Sequence, residues 1–134
     1  MNCLYIGINN MARISKFEEL DCWKSAHDLL IMIYNVLGND TFRREYSLQD
    51  QLKRATLSIS NNIAEGFERT STKETIRFLV IANSSTSEVK NMLIACKSLG
   101  FMTLNDYEQL MTQTQKTQNL TKGFIRYLNT LAAQ

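Results

Sequence analysis

The sequence predicts an all-α protein, an antiparallel up-down-up-down four-helix bundle, and three observations carry that prediction. Apolar residues recur at three- and four-residue spacing through four long segments. Proline is absent and only five glycines punctuate the 134 residues, so little interrupts a helix. Short polar breaks separate the segments, and short turns make sequential helices antiparallel neighbours. No strand alternation or βαβ rhythm competes with this pattern.

Residues 1–16 show no period and read as an N-terminal extension with partial disorder, Met11 offering an alternative start. A single domain then spans residues 17–131. The first helix is predicted over 17–37, with a stripe of Phe17, Leu20, Trp23, Leu30, Tyr34 and Leu37 widened by Ala26 and Ile33. Ser15 with Glu18 and Glu19 forms a capping signal, and Gly38-Asn39-Asp40 a stop. Residues 41–46 read as a short extra turn whose aromatics close the bundle end.

The second helix is predicted over 47–67, opened by a weak Ser47/Asp50 box, with Leu48, Leu52, Ala55, Ile59, Ile63 and Phe67 as its seam. Ser71-x-x-Glu74 is a stronger capping box for the third helix, 73–99. Ile76, Leu79, Ala82, Val89, Leu93 and Cys96 form its apolar face, small residues occupy its centre, and Gly100 ends it. Asn105-x-x-Glu108 boxes the fourth helix, 105–131, whose apolar positions are Tyr107, Leu110, Met111, Leu120, Phe124, Tyr127 and Leu131. Its middle, 112–118, offers little to bury, so this helix is expected to be the weakest partner in the core or to face solvent there.

Composition narrows the function classes. With 44% hydrophobic and 21% charged residues the chain is globular rather than disordered, and a net charge of +2 does not by itself argue for nucleic acid. Cys3, Cys22 and Cys96 have neither metal-ligand spacing nor an even count for a disulfide framework, which fits a reducing cytoplasm. Neither a signal peptide nor a membrane span is expected.

Catalytic chemistry finds no foothold. The lone histidine, His27, sits beside the first helix's stripe and reads as a packing or surface residue, and the cysteines read as small core residues. No Glu-x-x-His pair, phosphate-binding glycine loop or paired-cysteine zinc pattern occurs, so no catalytic, cofactor or metal site is assigned and no enzyme is expected. The most distinctive polar feature is a ridge of Ser58, Asn62, Glu65 and Arg69 beside the seam of the second helix. It reads as an internal hydrogen-bond network or a Glu65–Arg69 ion pair, with a binding or oligomer surface as the alternative. Basic residues collect toward both poles: Arg69, Lys73 and Arg77 with Lys122 and Arg126 at one, and Arg43, Arg44, Lys53 and Arg54 with Lys97 at the other. Interleaved acids dilute both groups.

Three stretches carry a resemblance. They are Phe17-Glu18-Glu19-Leu20 with Trp23, Ala26 and Tyr34; Leu48-x-x-Gln51-Leu52-Lys53-Arg54-Ala55 running into Ser58-Ile59-x-x-Asn62-Ile63-Ala64-Glu65-Gly66 and Arg69; and Phe78-Leu79-x-Ile81-Ala82-x-x-Ser85-x-x-Glu88. In this order they resemble the bacterial four helix bundle protein family, whose members include proteins of ribosomal RNA intervening sequences. The resemblance implies a left-handed bundle, often a homopentamer, with no established enzymatic activity. It also implies kinship with the accessory variability determinant of diversity-generating retroelements, a nucleic-acid-binding partner of reverse transcriptase, although this chain is much less basic. The expected function is therefore a non-enzymatic oligomeric binding or scaffold protein with a protein or nucleic-acid partner. The alternative is a nucleic-acid-binding accessory protein using Lys53, Arg54, Arg69, Lys73 and Arg77.

Overall fold

The computed structural model describes residues 4–5, 13–38 and 45–133. The short turn expected at 41–46 therefore lies mostly outside the described residues, as do Arg43, Arg44, Cys3 and Met11. Two short strands, β1 (Leu4–Tyr5) and β2 (Arg13–Ile14), pair antiparallel with Leu4 opposite Ile14. A 3-10 turn over Phe17–Glu19 precedes four helices: α1 (Asp21–Leu37), α2 (Tyr46–Phe67), α3 (Thr72–Ser98) and α4 (Leu104–Ala132). Each helix packs on the next and α4 closes back onto α1, giving the expected antiparallel four-helix ring.

The helix ends show where local chemistry acts. The first helix is not continuous from Phe17: Leu20 adopts an extended conformation (φ −69°, ψ 130°) and buries its side chain, so α1 begins at Asp21. Ser15 does not cap it. Its hydroxyl and N–H instead donate to the Glu19 carboxylate, at 3.2 and 3.5 Å. The Ser47/Asp50 box does not form, because α2 starts at Tyr46 with no side-chain cap. Ser71 does cap α3, accepting from the Glu74 N–H at 3.2 Å. The α4 box lies two residues earlier than expected, since Thr103 accepts from the Asp106 N–H at 3.1 Å. Gly100 ends α3 in a Schellman arrangement: its φ of +79° lets the Phe101 N–H reach the Cys96 carbonyl (2.9 Å) and its own N–H reach that of Lys97 (3.1 Å).

The core runs the length of the ring. The predicted α2 and α3 seams are buried from Leu52 and Leu79 onward, while Leu48 and Ile76 stay half-buried at the ends. On α1 the buried stripe is rotated from the expected one, to Cys22, Ser25, Ala26, Leu29, Ile33 and Leu37. Trp23 and Leu30 are half-buried and Tyr34 is exposed, because α2 covers only the inner edge of that side. Ile14, within the segment expected as an extension, is completely buried.

The largest correction concerns α4. Its middle does not face solvent: Thr114, Thr117, Gln118 and Thr121 are buried, whereas Leu131 is exposed and Met111, Leu120, Phe124 and Tyr127 are half-buried. The hydroxyls of Thr114, Thr117 and Thr121 each donate to the carbonyl four residues back, at 2.7, 3.0 and 2.8 Å. A threonine satisfied this way presents mainly its methyl group to the core and escapes the penalty of an unpaired buried hydroxyl.

Candidate functional site

The central turns of the bundle form a polar waist. On one side Ser25 of α1 and Thr117 of α4 bring their hydroxyls to 2.7 Å, while the Gln113 amide donates to the Ser25 carbonyl and hydroxyl at 3.0 and 3.1 Å. On the other, the buried Gln118 amide donates to Thr86 (2.9 Å) and Ser87 (3.2 Å) of α3. Its oxygen accepts from Lys90 at 2.7 Å, and Lys90 also donates to the Gln115 oxygen. Gln115 in turn donates to Asn119 at 2.8 Å. Between α2 and α3, Ser58 and Ser85 approach to 2.9 Å. Small side chains at this level let the helices come close, and Gln113, Gln115 and Gln118 are paired through their amides, whereas the buried Asn83 Oδ1 of α3 has no hydrogen-bond partner among the described residues.

The predicted ridge on α2 is divided. Its inner half is the network just described: Asn62 donates to the Ser58 carbonyl at 2.7 Å and hydroxyl at 3.1 Å, and Ser58 continues to Ser85. The outer half is at the surface. Glu65 is exposed, and Arg69 lies over the Phe78 ring with its guanidinium carbon 4.6 Å from the centroid. Next to the ridge, α2 and α3 approach closely at Gly66. A Cβ there would stand 2.9 Å from the Phe78 Cβ and 3.2 Å from the Thr75 carbonyl oxygen, and the Thr75 hydroxyl donates to the Gly66 carbonyl at 2.8 Å. The sequence had shown Gly66 only as a motif letter.

The five candidate nucleic-acid contacts do not form one surface. Lys53 and Arg69 are sixteen residues apart on α2, which is about 24 Å along the axis. Lys53 is half-buried with its ammonium 4.9 Å from the Tyr34 ring centroid, and Arg54 is exposed on the same turn. Lys73 and Arg77 are exposed on the first turns of α3, near Arg69. Cation–π pairing to Tyr34 and Phe78 gives Lys53 and Arg69 a packing role as well as charge.

His27 stacks on Trp23 at 4.8 Å and 11° between planes, and Phe17 covers Trp23 at 5.5 Å. Cys22 and Cys96 are free thiols within the core. Burial pushes Cys22 up to about 12 and Cys96 up to about 11 from an ordinary 9.0, so at neutral pH both are the unreactive thiol. Among the described residues, no group of three or more His, Cys, Asp or Glu side chains is arranged to hold a metal, and no helix is long and apolar enough to cross a membrane.

The raised values fix a pH dependence. In the unfolded chain these thiols ionise near 9, and in the fold only near 11 to 12. Their burial thus contributes stability that is full below pH 9 and is lost as pH rises through the folded values. Chemical denaturation should accordingly show a steeper alkaline loss for the wild type than for Cys22→Ala above pH 9. In a Cys3→Ser background at pH 8, an aromatic disulfide reagent should modify Cys22 and Cys96 only as fast as the protein unfolds. Rapid modification under native conditions would contradict their placement.

The arrangement defines a class first: a small helical bundle whose interior is a packed, internally hydrogen-bonded core. The chain matches the family model described as 23S rRNA-intervening sequence protein over residues 18–123, and it belongs to that family. A solved structure of a protein of unknown function from the S23 ribosomal protein family of Bacteroides thetaiotaomicron is similar to it. That likeness has a TM-score of 0.72 at 22% identity, covering 78% of this chain and 97% of the other, and it concerns the fold. No curated protein matches the chain at a significant level.

Proposed function

We propose that this chain is a non-enzymatic subunit of a homo-oligomeric binding or scaffold protein. One observation carries the reading: an apolar patch on the α1–α2 face. Ile31 is 49% exposed, Tyr34 46% and Leu57 36%. Lys53 lying over the Tyr34 ring places that tyrosine beside α2. Leu57 follows Lys53 by one helical turn and Ile31 precedes Tyr34 by one, so the three cluster. Contiguous exposed apolar groups rimmed by polar ones favour a protein partner. The resemblance read from the sequence implies a second copy of this chain, with five subunits as the assembly. A reducing cytoplasm suits the two buried free thiols.

The alternative, a nucleic-acid-binding accessory protein that partners a reverse transcriptase or binds structured RNA, with Lys53, Arg54, Arg69, Lys73 and Arg77 as the nucleic-acid contacts, has less support. Those residues are divided between two poles, and two of them lie against aromatic rings.

Light scattering across a range of concentrations tests the assembly. The expected result is a mass several times the 15.4 kDa of one chain. Leu57→Glu should lower that mass while leaving the helical circular dichroism intact. A wild-type protein that is monomeric at every concentration sinks the proposal.

A further inference from the structure

Charge is distributed unevenly around the bundle, and the unevenness follows from which flank of α3 meets which neighbour. The only acids of α3 are Glu74 and Glu88. Glu88 lies one turn beyond Ser85, which bonds Ser58 of α2, and Glu74 one turn before Phe78, the ring under Arg69 of α2. Both acids are thereby turned toward α2. The opposite flank of α3, with Thr86, Ser87 and Lys90, bonds Gln118 and Gln115 of α4. Beyond Glu108, α4 contains no acidic residue, while Lys116, Lys122 and Arg126 follow.

A continuous strip of donors results on the α3–α4 face. Lys122 lies two turns beyond Gln115, and Arg126 two turns beyond Asn119, so these four residues share one side of α4. The strip runs about 17 Å from Gln115, where Lys90 is tethered, to Arg126. Its acceptors are used internally: Lys90 occupies the Gln115 and Gln118 oxygens, and Gln115 donates to the Asn119 oxygen. What remains outward is the Asn119 amide N–H pair and three cationic groups. Lys122 and Arg126 are exposed, and neither forms a hydrogen bond or ion pair with a carboxylate among the described residues. Lys90 is fixed by neutral amides, so its charge is positioned without being cancelled.

We propose that this strip binds the phosphate backbone of a nucleic-acid duplex. Phosphate oxygens accept and never donate, which complements a surface whose acceptors are already consumed. A duplex supplies negative charge along a line, at about one per 1.7 Å of axis, and the cations here are also arranged along a line. Aromatic side chains, which would favour unpaired bases, do not belong to the strip. The binding is therefore directed at the backbone and tolerant of sequence. It is independent of the apolar patch on α1–α2 and does not use Lys53 or Arg54.

Fluorescence anisotropy with a labelled RNA duplex and a DNA duplex of the same length tests this, comparing the wild type with two charge-reversed proteins. The expected result is salt-dependent binding, with a log–log slope of about −3 if one subunit's three cations each meet a phosphate. K122E/R126E should weaken binding about tenfold or more, while K16E/K24E, at two exposed lysines outside the strip, should bind as the wild type does. Circular dichroism and sedimentation confirm that each variant keeps its fold and mass, which also separates this result from that of the assembly test. Absence of binding at low salt overturns the proposal, as does a K122E/R126E protein that binds normally. Poly-glutamate competing as well as the duplex would overturn it too, by pointing to an acidic protein surface instead.

Discussion

Replacing Gly66 by alanine is expected to destabilise the bundle by about 1–3 kcal/mol, the usual cost of inserting a methyl group into a packed contact. On an open helix the same change stabilises by up to about 1 kcal/mol, because alanine is the better helix former. The sign reverses here because the new Cβ would meet the Phe78 Cβ at 2.9 Å and the Thr75 carbonyl oxygen at 3.2 Å. Neither atom is the free end of a flexible side chain, so α2 and α3 must separate, stretching the Thr75–Gly66 hydrogen bond of 2.8 Å. Urea unfolding of the single variant, and of G66A combined with Phe78→Gly, which removes the clashing Cβ itself, checks the cause. The Phe78 change is costly alone, but in combination the penalty at position 66 should shrink. A G66A protein as stable as the wild type would contradict the close approach.

The second large effect is expected at Gln118. Truncation to alanine should cost about 2–4 kcal/mol, combining a cavity with the loss of buried hydrogen bonds. The amide is only 6% exposed and connects Thr86, Ser87 and Lys90 to α4. Gln118→Leu separates the two contributions, because it keeps the volume and removes the polarity. Thr86 retains its own bond to the Asn83 carbonyl at 2.5 Å, and Lys90 is half-buried and able to reach water. The leucine variant should accordingly lie within about 1 kcal/mol of the wild type, since an apolar replacement of similar shape is often nearly neutral. Equal losses for the two variants would mean that the hydrogen bonds, rather than the filled space, hold α3 to α4 at this level.

Much of the local structure was legible from the residues alone. Ser71 with Glu74 announces the start of α3 because a hydroxyl three residues before a free backbone N–H is within reach of it. Gly100 announces its end because the closing turn requires a positive φ. The apolar seam of α2 also reads correctly, since α1 and α3 cover it from both sides and leave little freedom in its rotation. The stripe of α1 does not read correctly. Trp23, Leu30 and Tyr34 are as apolar as the residues actually buried, and only the position of α2 decides which edge is covered.

The sequence by itself determined four helices, most of their limits and the antiparallel order that short turns impose. Tertiary structure alone decided what the middle of α4 does. Hydropathy counts threonine and glutamine as polar, yet a threonine bonded to its own helix and a glutamine bonded to a neighbouring one are suited to the core. It alone decided the detail of the surfaces as well. The antiparallel order already divides Lys53 and Arg54 from Arg69, Lys73 and Arg77, but only the structure lays Lys53 over the Tyr34 ring and Arg69 over that of Phe78. Lys90, distant in sequence from Lys122 and Arg126, is brought onto one face with them because α3 turns its two acids toward α2 and its amide-bonded lysine toward α4.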